Sequence, residues 1–237
     1  MIFCPEKILI FDIYADYAQF KKYFTNMSPL TFSIPPRTVI AGIVGAIIGI
    51  DKAENPEIFF EDRAFISLKA LRAAKKTKLP TNYLKTTKKS HFYRYQDHKP
   101  TNVEYLKDPA YRIYVSHHDD TLYSKLKNCL LEHKTHYTLN LGISSCLANF
   151  SLIGEFEVEQ KKGRAGISSV IPKNRIKNIV FNDNTLLQQC TLPNQMKNDR
   201  EVIDYKEFVF EINGGIINAE IDAYFCIKDR GENIVGM

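Results

Sequence analysis

No C-x-x-C pair occurs in this chain, and its five cysteines (Cys4, Cys129, Cys146, Cys190 and Cys226) lie far apart and are odd in number. That excludes a zinc ribbon and a disulfide framework, and leads us to expect reduced, buried thiols in a cytoplasmic setting. The first residues, MIFCPEKILIFDIY, lack the charged leader and small-residue cleavage site of a secretory signal, with Lys7 and Asp12 interrupting the apolar run. The greasiest stretch, residues 39–50, is twelve residues long, whereas a bilayer crossing needs about 20. P-loop and dinucleotide fingerprints are missing, and Ser144-Ser145-Cys146 has no G-x-S-x-G context. Internal repeats, heptads and low-complexity tracts are also missing.

What is present suits a globular chain of 237 residues, enough for one large domain or two small ones. Residues 7–14, KILIFDIY, read as a strand rich in β-branched and aromatic side chains. Pro35-Pro36 opens a helix that runs to about Ile50, all apolar and therefore buried. Gly42, Gly45 and Gly49 share one face of it. Each costs about 1 kcal/mol against alanine, a cost that close approach to a sheet or neighbouring chain would offset. Residues 62–71 and 111–115 read as strands, and Asp119-Asp120 opens an amphipathic helix carrying Leu122, Leu126 and Leu130. Residues 149–159 alternate as a further strand. Strands are expected at 176–181, 207–213 and 216–225, with Gly214-Gly215 as a hairpin turn between the last two. The order strand-helix-strand, long excursion, strand-helix-strand is that of an α+β, ferredoxin-like βαββαβ domain. We place that domain at residues 1–160 and a C-terminal β-rich region at 161–237.

The excursion is the most distinctive segment. Residues 69–112 hold 12 basic residues against three acidic ones, a local net of +9 where the whole chain carries +5. Lys85, Lys88, Lys89 and Arg94 are interleaved with His91, Phe92, Tyr93 and Tyr95. Cations attract a phosphate backbone and aromatic faces stack on unpaired bases. The coincidence of the two points to single-stranded nucleic acid, the alternative being a solvated hairpin whose lysines block aggregation. The loop Lys21, Lys22, Tyr23, Thr25, Asn26 and Ser28 is also basic and polar. Arg37 and Thr38 stand at the N-terminus of the glycine helix, where free N–H groups suit a phosphate. Lys161, Lys162 and Arg164, in KKGRAG, suggest a flexible basic turn with the same capacity or a plain exposed loop.

Catalytic signals are weak. His117-His118-Asp119-Asp120 imitates a metal cluster, but strand neighbours point to opposite faces and the aspartates suit a helix start. His133 and His136 stand at a helix end, where the dipole favours them. No metal or cofactor is expected. Metal-free cleavage of RNA needs a positioned base, an acid and a cation, and no spacing singles out such a set.

Two further segments matter because of what they resemble. SPLTFSIPPRTVIAGIVGAIIG resembles the N-terminal signature of the "Cas-five" family, in the RAMP superfamily of CRISPR-associated proteins. YTLNLGISSCLANFSLIGEFEVE is similar to that family's central LG-x-S-x-CLA segment, and IVFNDNTLLQQCTLPNQMKNDREVIDY to its C-terminal half, closest to the type I-B branch. The resemblance implies a non-catalytic, RNA-binding subunit of a type I surveillance complex (Cascade) that caps the 5′ handle of the CRISPR RNA in antiviral defence. It implies an RRM-type domain with a β-hairpin thumb, here at about residues 72–110. The loop from Lys21 to Ser28, together with Arg37-Thr38, would line the handle site. The implied partners are the CRISPR RNA, the backbone-forming RAMP subunit and the large subunit, with target DNA near the PAM as a further contact. One branch of the family cleaves precursor CRISPR RNA, so a metal-independent endoribonuclease is the alternative function.

Overall fold

Ile8, Leu9, Ile10 and Phe11 are all fully buried in the computed structural model, which describes residues 3–25, 27–84, 98–181 and 185–237. A run buried on both faces belongs to a central strand. In chain order the elements begin with β1 (Lys7–Ala15), β2 (Tyr17–Ala18), α1 (Arg37–Ile48), α2 (Asn55–Ile58) and β3 (Ala64–Ala70). Then follow β4 (Lys75–Leu84), β5 (His98–Lys107), β6 (Ala110–His117), α3 (Asp120–Leu131) and β7 (Ala148–Ile167). The last are β8 (Ile171–Pro172), β9 (Ile176–Val180), β10 (Leu187–Met196), β11 (Val202–Glu211), β12 (Ile217–Ile227) and β13 (Glu232–Ile234). Among the described residues, no helix is long and apolar enough to cross a membrane.

The architecture is α+β and mostly sheet. A seven-stranded sheet has the order β3-β6-β1-β7-β13-β12-β9. β1 runs antiparallel between β6 and β7, and β3 antiparallel beside β6. Leu9, Phe11 and Ile13 face α1 and α3, joining Ile40, Val44, Ile47, Leu126 and Leu130 in the main core. Ile8 and Ile10 face the other way, onto Val158, Phe225, Ile227 and Ile234. Each such side chain stabilises the fold by about 1.5–3 kcal/mol. The small sheet β10-β11-β8 adds Leu192, Phe208 and Phe210 to the main core.

Local chemistry explains α1 and α3. Pro36 caps α1 at its start, and Gly49, in the left-handed region at φ 76°, closes it with its N–H on the Gly45 carbonyl. Asp119 caps α3 by accepting from the N–H groups of Thr121 and Leu122. The three glycines of α1 have different roles. A side chain at Gly45 would collide with Asn55, and Gly49 is the cap beside His136, while nothing stands within 4 Å of a Cβ at Gly42.

Three expectations are corrected. Residues 161–166 are not a turn but the continuation of β7, twenty residues long, paired with β12. Gly163, at φ 103°, lies opposite the point where the register slips between Ile221 and Tyr224, so it marks a bulge. The boundary expected at 160/161 therefore falls inside a strand. Gly214-Gly215 does not join a hairpin, since β11 pairs with β10 and β8 while β12 pairs with β7, β9 and β13. The turn carries the chain from one sheet to the other, held by the Glu211 carboxylate, which accepts from the N–H groups of Asn213 and Gly215. Finally, β10, between the strands expected at 176–181 and 207–213, was not anticipated: Gln188, Gln189, Pro193 and Asn194 break the apolar alternation by which a strand is recognised.

Candidate nucleic-acid interface

The basic excursion forms an antiparallel ribbon. β4 and β5 pair from Lys75 opposite Lys107 to Leu84 opposite His98, a ladder about 30 Å long at ~3.4 Å per residue. Pro80 and the exposed Lys75 and Lys78 keep the outer edge of β4 from pairing with another chain. Its root is clamped from both sides. On one face Leu79, Val103 and Tyr105 pack with Tyr17, Ile143 and Cys146. Toward the other, the Glu104 carboxylate accepts from the Thr31 N–H at 3.1 Å and pairs with Lys76 at 3.3 Å.

One step further out, the pairs Thr81–Thr101 and Tyr83–Lys99 extend past this packing and overhang a cleft of about 520 Å³. Lys21, Met27 and Pro29 form one wall and Ile143, Ser144 and Ser145 another. The only charged side chains among its described lining residues are Lys21 and Lys99. Among the described residues, no carboxylate stands within salt-bridge distance of either lysine. Lys99 Nζ rests 3.8 Å from the Met27 sulfur, and the Tyr83 ring is 43% exposed. The cleft thus combines cations, an open aromatic face and neutral hydroxyls, the chemistry suited to an unpaired nucleotide.

Backbone geometry builds the walls. Gly142 lies at φ 94° against the Gln19 carbonyl, where a Cβ would come within 1.9 Å of the oxygen. Only glycine permits that approach, which brings the Ser144-Ser145 turn to the ribbon. Cys146 closes the turn, donating its N–H to the Ile143 carbonyl and accepting from the Leu141 N–H. Burial pushes its thiol above the ordinary value, and its side chain packs with Val103 and Tyr105. The opposite wall is braced by Thr25, whose hydroxyl donates to the Lys22 carbonyl at 2.8 Å and accepts from the Leu30 N–H at 3.2 Å.

The residues singled out from the sequence are distributed unevenly. Lys21 lines the cleft, and Tyr23 and Ser28 are exposed on the same loop. Lys22 is half-buried, its Nζ 5.8 Å from the Phe24 ring centre and 5.7 Å from that of Phe32. Arg37 is a correction: it is 2% exposed, and its guanidinium donates to the carbonyls of Phe59 at 2.6 Å and Ala64 at 2.9 Å. Desolvation lowers its pKa to about 10. It ties α1 to the segment before β3 and presents nothing to a phosphate. Thr38 lines a different, mostly apolar groove of about 600 Å³ over Gly42. Lys161 and Arg164 face Glu159 at 3.2 Å and Glu220 at 3.8 Å, and neither they nor Lys162 line the cleft. Asn26, Lys85, Lys88, Lys89, His91, Phe92, Tyr93 and Arg94 lie outside the described residues. His117 donates from Nε2 to the Ile58 carbonyl and accepts at Nδ1 from the Asp119 N–H, both at 3.0 Å, and burial depresses its pKa.

Sequence reasoning counts Lys99, Tyr83 and Tyr105 among the cations and rings of the excursion without naming them as site residues, and does not point to Ser144 or Ser145 for binding. The available signal was register: in a ribbon paired around one centre, Tyr83 must face Lys99.

Comparison with known proteins follows this geometry. The family model described as CRISPR-associated protein (Cas_Cas5) matches residues 8–218. No curated protein matches the chain. Among solved structures, the chain is similar to a CRISPR protein from Archaeoglobus fulgidus, with 16% identity and a TM-score of 0.60 over 97% of this chain and 99% of that one. It is also similar to a chain of a CRISPR RNA-guided surveillance complex, with 9% identity and a TM-score of 0.54 over 91% of each.

Proposed function

The chain belongs to the Cas5 family of CRISPR-associated proteins, and from that premise we propose that it is a non-catalytic RNA-binding subunit of a type I surveillance complex that caps the 5′ handle of the CRISPR RNA. The observation that carries this reading is the cleft under the ribbon, where Lys21 and Lys99, with no carboxylate partner among the described residues, flank an exposed Tyr83. Lysines neutralise phosphates while the ring stacks on a base, an arrangement that takes single-stranded RNA with a strong salt dependence. We read the β3-β6-β1-β7 part, crossed by α1 and α3, as a ferredoxin-like RAMP domain. The ribbon is its thumb, and the strands that follow β7 are its β-rich extension. Type I-B membership, a cytoplasmic setting, contact with DNA near the PAM, and docking on the backbone-forming and large subunits belong to the same proposal.

The experiment is binding of a fluorescent single-stranded RNA to the full chain across a salt series. Each phosphate contact adds about −0.7 to the slope of log K against log salt. A slope of −1.4 or steeper, reduced by Lys21→Glu with Lys99→Glu, is expected. Absence of RNA affinity, both alone and with partner subunits, overturns the proposal. Incubation of the protein with repeat RNA in EDTA tests the alternative, a metal-independent endoribonuclease. Specific cutting abolished by a single Lys, Tyr or His variant would establish that enzyme instead.

A further inference from the structure

The loop that walls the cleft also meets a strand 182 positions away. The Tyr23 ring lies 5.2 Å from Phe24 at 90° and 5.4 Å from Tyr205 of β11 at 56°. The three rings are 57%, 62% and 44% exposed, an unusual cost in water for side chains whose apolar area ordinarily stabilises by being covered. Their geometry is set in advance by the Thr25 brace. Lys22 stands over Phe24, and no described carboxylate lies within ion-pair distance of it. The nearest acid on the same face of β11, Glu207, is already engaged by Lys173 at 2.9 Å and Gln189 at 3.0 Å.

We propose that Tyr23, Phe24 and Tyr205 form a second stacking platform for the RNA, taking an unpaired base next to the nucleotide held in the cleft. Continuity and charge identify the occupant. Lys21 lines the cleft and adjacent Lys22 flanks the rings, so one braced segment walls both sites. A base beside its own phosphate fits open ring faces with an unneutralised cation. A protein partner would need apolar or acidic groups instead. The inference rests on the RNA-binding reading and extends it to residues from the C-terminal half of the chain.

The test uses full-length protein and single-stranded RNA carrying 2-aminopurine at successive positions, with anisotropy for affinity and quenching for stacking. Phe24→Ala and Tyr205→Ala are each expected to weaken binding about tenfold. They should abolish quenching at one position and leave the salt slope unchanged, whereas the cleft lysine variants lower the slope. Tyr205→Phe should retain the quenching, since stacking needs the ring and not the hydroxyl. Thermal melts confirm that the alanine variants fold. Wild-type affinity and quenching in both alanine variants overturn the platform while leaving the cleft standing. The same result accompanied by loss of a partner subunit assigns the rings to a protein surface. No RNA binding by wild-type protein overturns both.

Discussion

Two basic segments of this chain look alike on paper and differ in space. Lys161, Lys162 and Arg164 lie within five residues of Glu159 on a long strand whose neighbour β12 carries Glu220 and Asp222. Lys161 and Arg164 are answered by carboxylates on their own or the adjoining strand, as is nearby Lys177 by Asp222 at 2.8 Å. Lys21 and Lys99 also come from basic stretches, yet their cleft holds no described carboxylate. The carboxylate of the same ribbon, Glu104, is held at its root by Thr31 and Lys76. A run of lysines therefore becomes a field only where the fold has already used the nearby acids. The glycines of α1 show the same split. Gly45 and Gly49 are needed inside by Asn55 and the helix cap, whereas Gly42 opens onto a groove.

The comparison can be broken most severely at the cleft wall. Gly142→Ala should destabilise the protein by about 3 kcal/mol, because the methyl meets a backbone carbonyl at a left-handed φ and neither can move aside. Denaturant melts measure the loss, and RNA affinity should fall with it as Ser144 and Ser145 shift. Next in size, Lys21→Glu with Lys99→Glu should weaken RNA binding by about tenfold per site, in line with charged hydrogen bonds, with no change in melting temperature. An unchanged affinity would remove the distinction between the two basic segments. Gly45→Leu should cost about 1–3 kcal/mol through its collision with Asn55. Gly42→Ala, in open space, should instead stabilise the free protein by up to about 1 kcal/mol through helix propensity. The smallest effect belongs to the neutralised strand: Lys161→Glu with Arg164→Glu should leave RNA affinity within about twofold. A larger drop would restore that strand to the RNA path.

Much of the fold was legible in one dimension. The strand at residues 7–15, the proline-opened and glycine-closed helix α1, and the aspartate cap of α3 each depend on residues within a few positions of one another. Periodicity and capping read such ranges well. The strand at 161–166 was hidden because Gly163 and Gly166 imitate a loop when no partner strand is in view. Arg37 was misread for a related reason. An arginine at a helix start suits a phosphate, but the carbonyls of Phe59 and Ala64, 22 and 27 positions away, claim it first.

By itself the sequence determined the strand at 7–15 and the helices α1 and α3, the concentration of cations in residues 69–112, and the likeness to a CRISPR-associated family. Only the tertiary structure decided which cations remain unneutralised, which glycine faces out, and that Tyr205 joins Tyr23 and Phe24. The physical reason is range. Local conformation follows from neighbours along the chain, whereas burial and ion pairing depend on what chain closure brings across a gap. The cleft is made of four chain segments that meet only when the sheet and its ribbon have formed.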